Sequence, residues 1–118
     1  MKKNIISALL TMLLLLATVA VYAVKDDPVE RFDINPNPMD QECVISLVLL
    51  NPININLQIY HPQGELIADI YSGYANKQMV FFWDRSDLNN QYVPAGEYVM
   101  VLSYDARYTS TKKTLILK

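Results

Sequence analysis

The chain has 118 residues, with 12 acidic and 10 basic side chains, a formal net charge of −2, one His and one Cys. That length fits one domain and excludes a large multi-domain enzyme. Without a surplus of Lys and Arg there is no electrostatic footprint for nucleic acid; a lone Cys excludes an internal disulfide or a Cys-based zinc site, and a lone His excludes His-pair metal motifs.

Met1-Lys2-Lys3-Asn4 is a short basic start, and the run from Ile5 to Val21 is apolar except for Ser7, Thr11 and Thr18. Val21-Tyr22-Ala23 then offers the exit that signal peptidase reads, placing cleavage between Ala23 and Val24. A basic start, an apolar middle and such an exit predict a signal peptide over residues 1–23. The competing reading is an uncleaved anchor, because the run approaches the ~20 residues that span a bilayer. The expectation is an exported protein of the periplasm, cell surface or extracellular space, meeting the membrane only through its transient signal. Small secreted domains usually gain stability from disulfides; here a continuous core must suffice.

Residues 24–31 are charged and contain Pro28, which predicts a solvated linker before a domain over residues 32–118. Asn35-Pro36-Asn37-Pro38 fixes φ twice and removes two donors, so it reads as an extended lead-in. Cys43 to Leu50 is rich in β-formers, with Ile45, Leu47 and Leu49 as the inward set. After Asn51-Pro52, the aliphatics Ile53, Ile55, Leu57 and Ile59 alternate with Asn54, Asn56 and Gln58, the period of a half-buried strand. His61-Pro62-Gln63-Gly64 reads as a turn, Glu65 to Tyr71 as a third strand, and Ser72-Gly73 as a second turn. Gln78 to Asp84 is a fourth strand with Met79, Phe81 and Trp83 on one side. A polar loop from Arg85 to Gln91 and Pro94-Ala95-Gly96 lead to a fifth, Glu97 to Asp105, with Tyr98, Met100, Leu102 and Tyr104 in phase. Thr109 to Lys118 makes a sixth. Short strands separated by turn residues predict an all-β class: one antiparallel Ig-like β-sandwich of about six to seven strands.

Several residues stand in a recognisable order: Pro36-Asn37-Pro38, then Ile59-Tyr60 through Gly64, then Trp83-Asp84, Asp87, Ala95-Gly96-Glu97-Tyr98, and a Lys112-Lys113 terminal strand. This ordered set resembles the FlgD-type Ig-like domain, a pattern shared with the C-terminal sorting domains of type IX secretion cargo. The resemblance covers Phe32 to Lys118. It implies a sandwich without a catalytic centre, read as an address by outer-membrane secretion machinery or used as a surface-attachment module. The chain departs from the pattern at His61, where Asp commonly stands, and at Arg85 and Asn90, where Gly is common. Asn tolerates the left-handed region, whereas Arg resists it.

Other candidates have plainer readings. Trp83, Phe81 and Tyr98 could form an aromatic platform, but a core Trp between two sheets is expected. Asp84, Asp87, Asn89 and Asn90 supply oxygens as calcium requires, without the usual alternating spacing; turn-stabilising bonds to nearby backbone are expected instead. His61 reads as a turn residue, and Cys43 as a small buried side chain that could pair between molecules only if exposed. No G-x-S-x-G elbow or Gly-rich phosphate loop is present. We therefore expect no enzyme, no catalytic or metal-binding residues, no cofactor and no small-molecule substrate. The expected partner is a protein, recognised through the strand that holds Thr111, Lys112, Lys113, Leu115, Ile116, Leu117 and Lys118, by strand addition or by its basic patch. The alternative is a free-standing structural or adhesive module of an extracellular assembly.

Overall fold

The computed structural model describes residues 27–104 and 109–118. The expected signal peptide, the expected cleavage between Ala23 and Val24 and the Asp105 end of the fifth expected strand lie outside the described residues. Seven strands are found among those described: β1 (Val29–Asn35), β2 (Cys43–Leu49), β3 (Ile53–Tyr60), β4 (Leu66–Ala75), β5 (Gln78–Trp83), β6 (Gly96–Tyr104) and β7 (Thr109–Leu117). They form two antiparallel sheets, β1-β2-β5 and β4-β3-β6-β7. In immunoglobulin lettering this is A-B-E against C′-C-F-G, with the fourth strand paired to β3 rather than to the first sheet.

The core follows from the period-two pattern. Ile45, Leu47 and Leu49 of β2, Ile55, Leu57 and Ile59 of β3, Met100 and Leu102 of β6, and Leu115 and Leu117 of β7 are all buried between the sheets. Each such side chain contributes about 1.5–3 kcal/mol, so this continuous wall replaces the absent disulfide. Met39 from the lead-in is fully buried in the same core.

Two expectations are corrected. Residues 29–31 belong to β1 and not to a linker: Phe32 points inward and is buried, while Glu30 and Arg31 are exposed along an edge strand. Charge on the outer side masked the strand, as edge strands commonly require. Ser72-Gly73 is not a turn either, because β4 runs on to Ala75. β3 supplies partners across that stretch, pairing Ile55 with Gly73 and Ile53 with Ala75. The Ser72 hydroxyl adds a bond to Asn56 Oδ1 at 2.5 Å. Cross-strand pairing therefore outweighs the turn-forming composition, and the chain reverses at Asn76-Lys77, where Lys77 has φ 58°.

Candidate functional site

The terminal strand β7 lies at the edge of the four-stranded sheet, paired to β6 from Gly96↔Leu117 to Tyr104↔Thr109. Leu115 and Leu117 point into the core, whereas Lys112, Thr114 and Ile116 face outward. Thr111 is half-buried and its Oγ1 lies 2.8 Å from the Tyr104 hydroxyl. Burial raises the Tyr104 pKa, against a smaller lowering by that bond. Lys113 reaches across to the other sheet, with its Nζ 3.7 Å from Asp33 Oδ1 and 5.6 Å above the Phe32 ring. Thus β7 sits beside β1, and its lysines divide between an outward face and the seam between the sheets.

The C-terminal half of β7 is already covered by the chain itself. Asn37 Nδ2 donates to Thr114 O at 2.7 Å, and Ile116 N donates to Asn37 Oδ1 at 3.0 Å. Met39 N donates to Ile116 O at 2.8 Å, and Lys118 N donates to Met39 O at 2.9 Å, a short parallel bridge. The Pro36-Asn37-Pro38 motif, with both Asn–Pro bonds cis, therefore serves as a clasp on the terminal strand. Its side-chain amide satisfies one acceptor through Nδ2 and one donor through Oδ1.

Arg85 was the position at which the sequence resisted its expected geometry, and it adopts φ 69° with only 2% of its surface exposed. The guanidinium accounts for this. Its Nε donates to Val93 O at 2.8 Å, one terminal nitrogen donates to Asp40 O, and the other donates to the Lys118 main-chain oxygen at 3.0 Å. The Tyr92 ring lies 4.5 Å from it. Charge-assisted bonds of this kind exceed neutral ones and offset the strain of the left-handed backbone. Sequence reasoning missed this role because Arg85 touches groups 8, 33 and 45 residues away.

The remaining motif residues hold turns and joints. Asp84 accepts from Ser86 N at 3.1 Å and from the Ser86 hydroxyl, and those bonds hold its pKa below the ordinary carboxylate value. Asp87 Oδ1 accepts from Asn89 N and Gln91 N at 2.8 and 2.9 Å, and Asn90 takes φ 60°. Both carboxylates are thus engaged by their own loop, and no group of three metal-binding side chains occurs among the described residues. Trp83 is buried and donates its indole N–H to Ser86 O at 2.9 Å. Tyr98, near the start of β6, donates to Pro94 O at 2.9 Å, the geometry of a tyrosine corner. Gly96 packs beneath that Tyr98 ring. The Tyr60 hydroxyl donates to Gln58 Oε1 at 2.8 Å. His61 Nδ1 accepts from Gln63 N at 3.1 Å and closes the turn whose Gly64 has φ 103°. Cys43 is free and fully buried, which pushes its thiol pKa up to about 11.

No family model and no curated protein matches this chain. Solved structures do. The dimeric latent PorU of Porphyromonas gingivalis matches with a TM-score of 0.62 at 16% identity, over 73% of this chain and 9% of PorU. PorZ, an essential bacterial surface component of the type IX secretion system of the same organism, matches with a TM-score of 0.53 at 13% identity. That alignment covers 74% of this chain and 11% of PorZ. The chain therefore shares the fold of a small part of each of these proteins.

Proposed function

We infer that this chain is an exported recognition module of a type IX secretion apparatus or of its cargo, acting through a protein partner and without catalysis. The FlgD-type pattern that motivates this reading is no scatter of surface residues. The clasp Asn37, the turn residue Gly64, the joint formed by Trp83 and Asp84, and the corner residue Tyr98 each hold a distinct junction of the sandwich. The observation that carries the reading is that the Asn37 clasp and the guanidinium of Arg85, a residue by which the chain departs from the pattern, converge on the C-terminal end of β7. A terminal strand held in one geometry, with Lys112 on its outer face, is what a receptor for an address needs to read. The fold likeness to parts of PorU and PorZ supports the same reading.

The test is transport. Residues 27–118 appended to the C-terminus of a periplasmic reporter should carry it across the outer membrane of a host with a type IX system. Replacing Lys112 and Lys113 by Glu should leave the reporter in the periplasm. Retention of the reporter with the unaltered sequence, while a known cargo passes, overturns the reading.

A further inference from the structure

The sandwich has four edge strands, and three of them are guarded. β1 carries Glu30, Arg31 and Asp33 and a register break after Val29. β7 carries lysines and the Asn37–Met39 clasp. β4 has two register breaks, Asp69, and a bond from Leu88 N to Ile67 O at 3.0 Å that ties the following loop over it. Charges, bulges and coverings are the ordinary devices against strand addition. β5, Gln78-Met79-Val80-Phe81-Phe82-Trp83, has none of them: it is uncharged, regular through its pairing with β2, and unpaired on its other side.

The direction of its free groups follows from one bond. Leu49 N donates to Lys77 O, so Leu49 and Lys77 face each other as a hydrogen-bonded pair. In an antiparallel ladder such pairs recur at every second residue. Met79, Phe81 and Trp83 therefore spend their main-chain groups on β2, and the N–H and C=O of Val80 and Phe82 point to the open edge. The side chains of those two residues stand on the outer face of the sheet, 47% and 72% exposed. Across the ladder Val44 faces Phe82 and Ser46 faces Val80, with Val48 one outward position further along β2.

Beside this edge runs a groove between β4 and β5, with Ile70, Phe82 and Trp83 among its walls. The ionisable side chains that line it are Glu42, Asp69, Asp84 and Asp87, with no Lys, Arg or His among them. The depression that Lys112 lines together with Tyr60, His61 and Val101 has no carboxylate in its walls. We propose that the β5 edge is a strand-addition site for an extended segment of another protein in which apolar and cationic residues alternate. Its main chain pairs with Val80 and Phe82, its apolar side chains continue the patch formed by Val80 and Phe82, and its Lys or Arg side chains meet the carboxylates of the groove. A second copy is a poor donor of that strand. Its basic β7 has Leu115 and Leu117 in the core and its outer groups at Thr114 and Ile116 already bonded. The β5 flank lies opposite β7, so its occupancy does not depend on how the terminal strand is read.

The experiment titrates the full chain into a dye-labelled decapeptide of alternating Val and Lys, read by fluorescence anisotropy. Alternating Val/Glu and Ser/Lys peptides serve as controls. The Val/Lys peptide should bind about tenfold more tightly than either control, since both pairing and charge favour it. Val80→Pro removes an outward N–H that an edge can spare, so it should preserve the fold and lower affinity about tenfold. If Val80→Pro fails to fold, Phe82→Lys decides, because that ring is 72% exposed and a change there leaves the core intact. Glu42→Gln with Asp69→Asn should lower affinity about threefold and flatten its salt dependence. Equal binding of the Val/Glu peptide overturns the proposal, as does unchanged binding by folded Val80→Pro or Phe82→Lys. A concentration-dependent dimer in sedimentation, abolished by Phe82→Lys, would replace the foreign strand by a second copy.

Discussion

The two flanks of the sandwich are closed in different ways. On the β1/β7 flank, the chain folds back on itself: Asn37 and Met39 occupy the outer edge of the terminal strand, Lys113 spans the two sheets, and the Arg85 guanidinium ties Lys118 to Asp40 and Val93. On the β4/β5 flank, a single main-chain bond from Leu88 to Ile67 covers β4, and β5 stays open. A small domain without disulfides has little stability to spare, and long-range polar bonds are concentrated on the outer edge of β7. On the open flank β5 presents apolar groups to solvent, the arrangement expected where a partner completes the sheet.

The β1/β7 flank is most sensitive at Arg85. Arg85→Ala removes three acceptor contacts while leaving a left-handed backbone position filled by a residue with a Cβ, and should cost about 3 kcal/mol in urea denaturation. Arg85→Gly loses the same contacts but relieves the φ of 69°, so it should be the milder change by about 1 kcal/mol. Equal losses in the two variants would mean that the backbone at Arg85 is unstrained. Protection of amides at the end of β7 should fall in both, and that of β5 should not.

Much of the fold was legible because the apolar pattern is periodic. The inward sets of β2, β3 and β6 could be read from alternation alone, and a register slip would have exposed all of them. β1 was hidden by its edge charges, and the length of β4 by a Ser-Gly pair that the β3 ladder overrode. The clasp and the guanidinium were legible only as residue types. Asn37 stood out within Pro-Asn-Pro, and Arg85 stood out as a poor occupant of a Gly position. What each touches lies 77–79 and 8–45 residues away, and no local pattern encodes a partner at that separation.

Cys43 gives the next largest effect and tests the wall between the flanks. Its folded thiol sits near pKa 11 against an ordinary 9.0, so the neutral form is favoured in the fold. The unfolded chain loses this proton first, so stability is fully present below pH 9 and declines as the pH rises toward 11. The decline should approach about 2 kcal/mol and be absent in Cys43→Val, measured as the difference between the two denaturation curves at each pH. A thiol reagent should label native Cys43 only on unfolding; rapid native labelling would show that the wall opens without global unfolding.

Asn37→Ala is a gentler probe of the clasp. It removes two bonds on a largely exposed surface, Asn37 Nδ2 to Thr114 O and Ile116 N to Asn37 Oδ1, and should cost about 1–2 kcal/mol. Exchange of the Ile116 amide should accelerate more than that of amides bonded to β6. If it does not, Met39 alone holds the edge.

The smallest effect sharpens the contrast most. The Lys113–Asp33 contact is long, at 3.7 Å, and both side chains are more than a third exposed, so solvent screens the pair. Lys113→Gln should therefore shift stability by no more than about 0.5 kcal/mol, and added salt should erase the difference. A loss well above that, insensitive to salt, would place the weight on the Phe32 ring beneath the ammonium and on the buried stem of the lysine. The seam between β1 and β7 would then be a packed joint, and a receptor reading Lys113 would have to open it; a small, screened effect leaves that lysine free to turn from Asp33 to a partner.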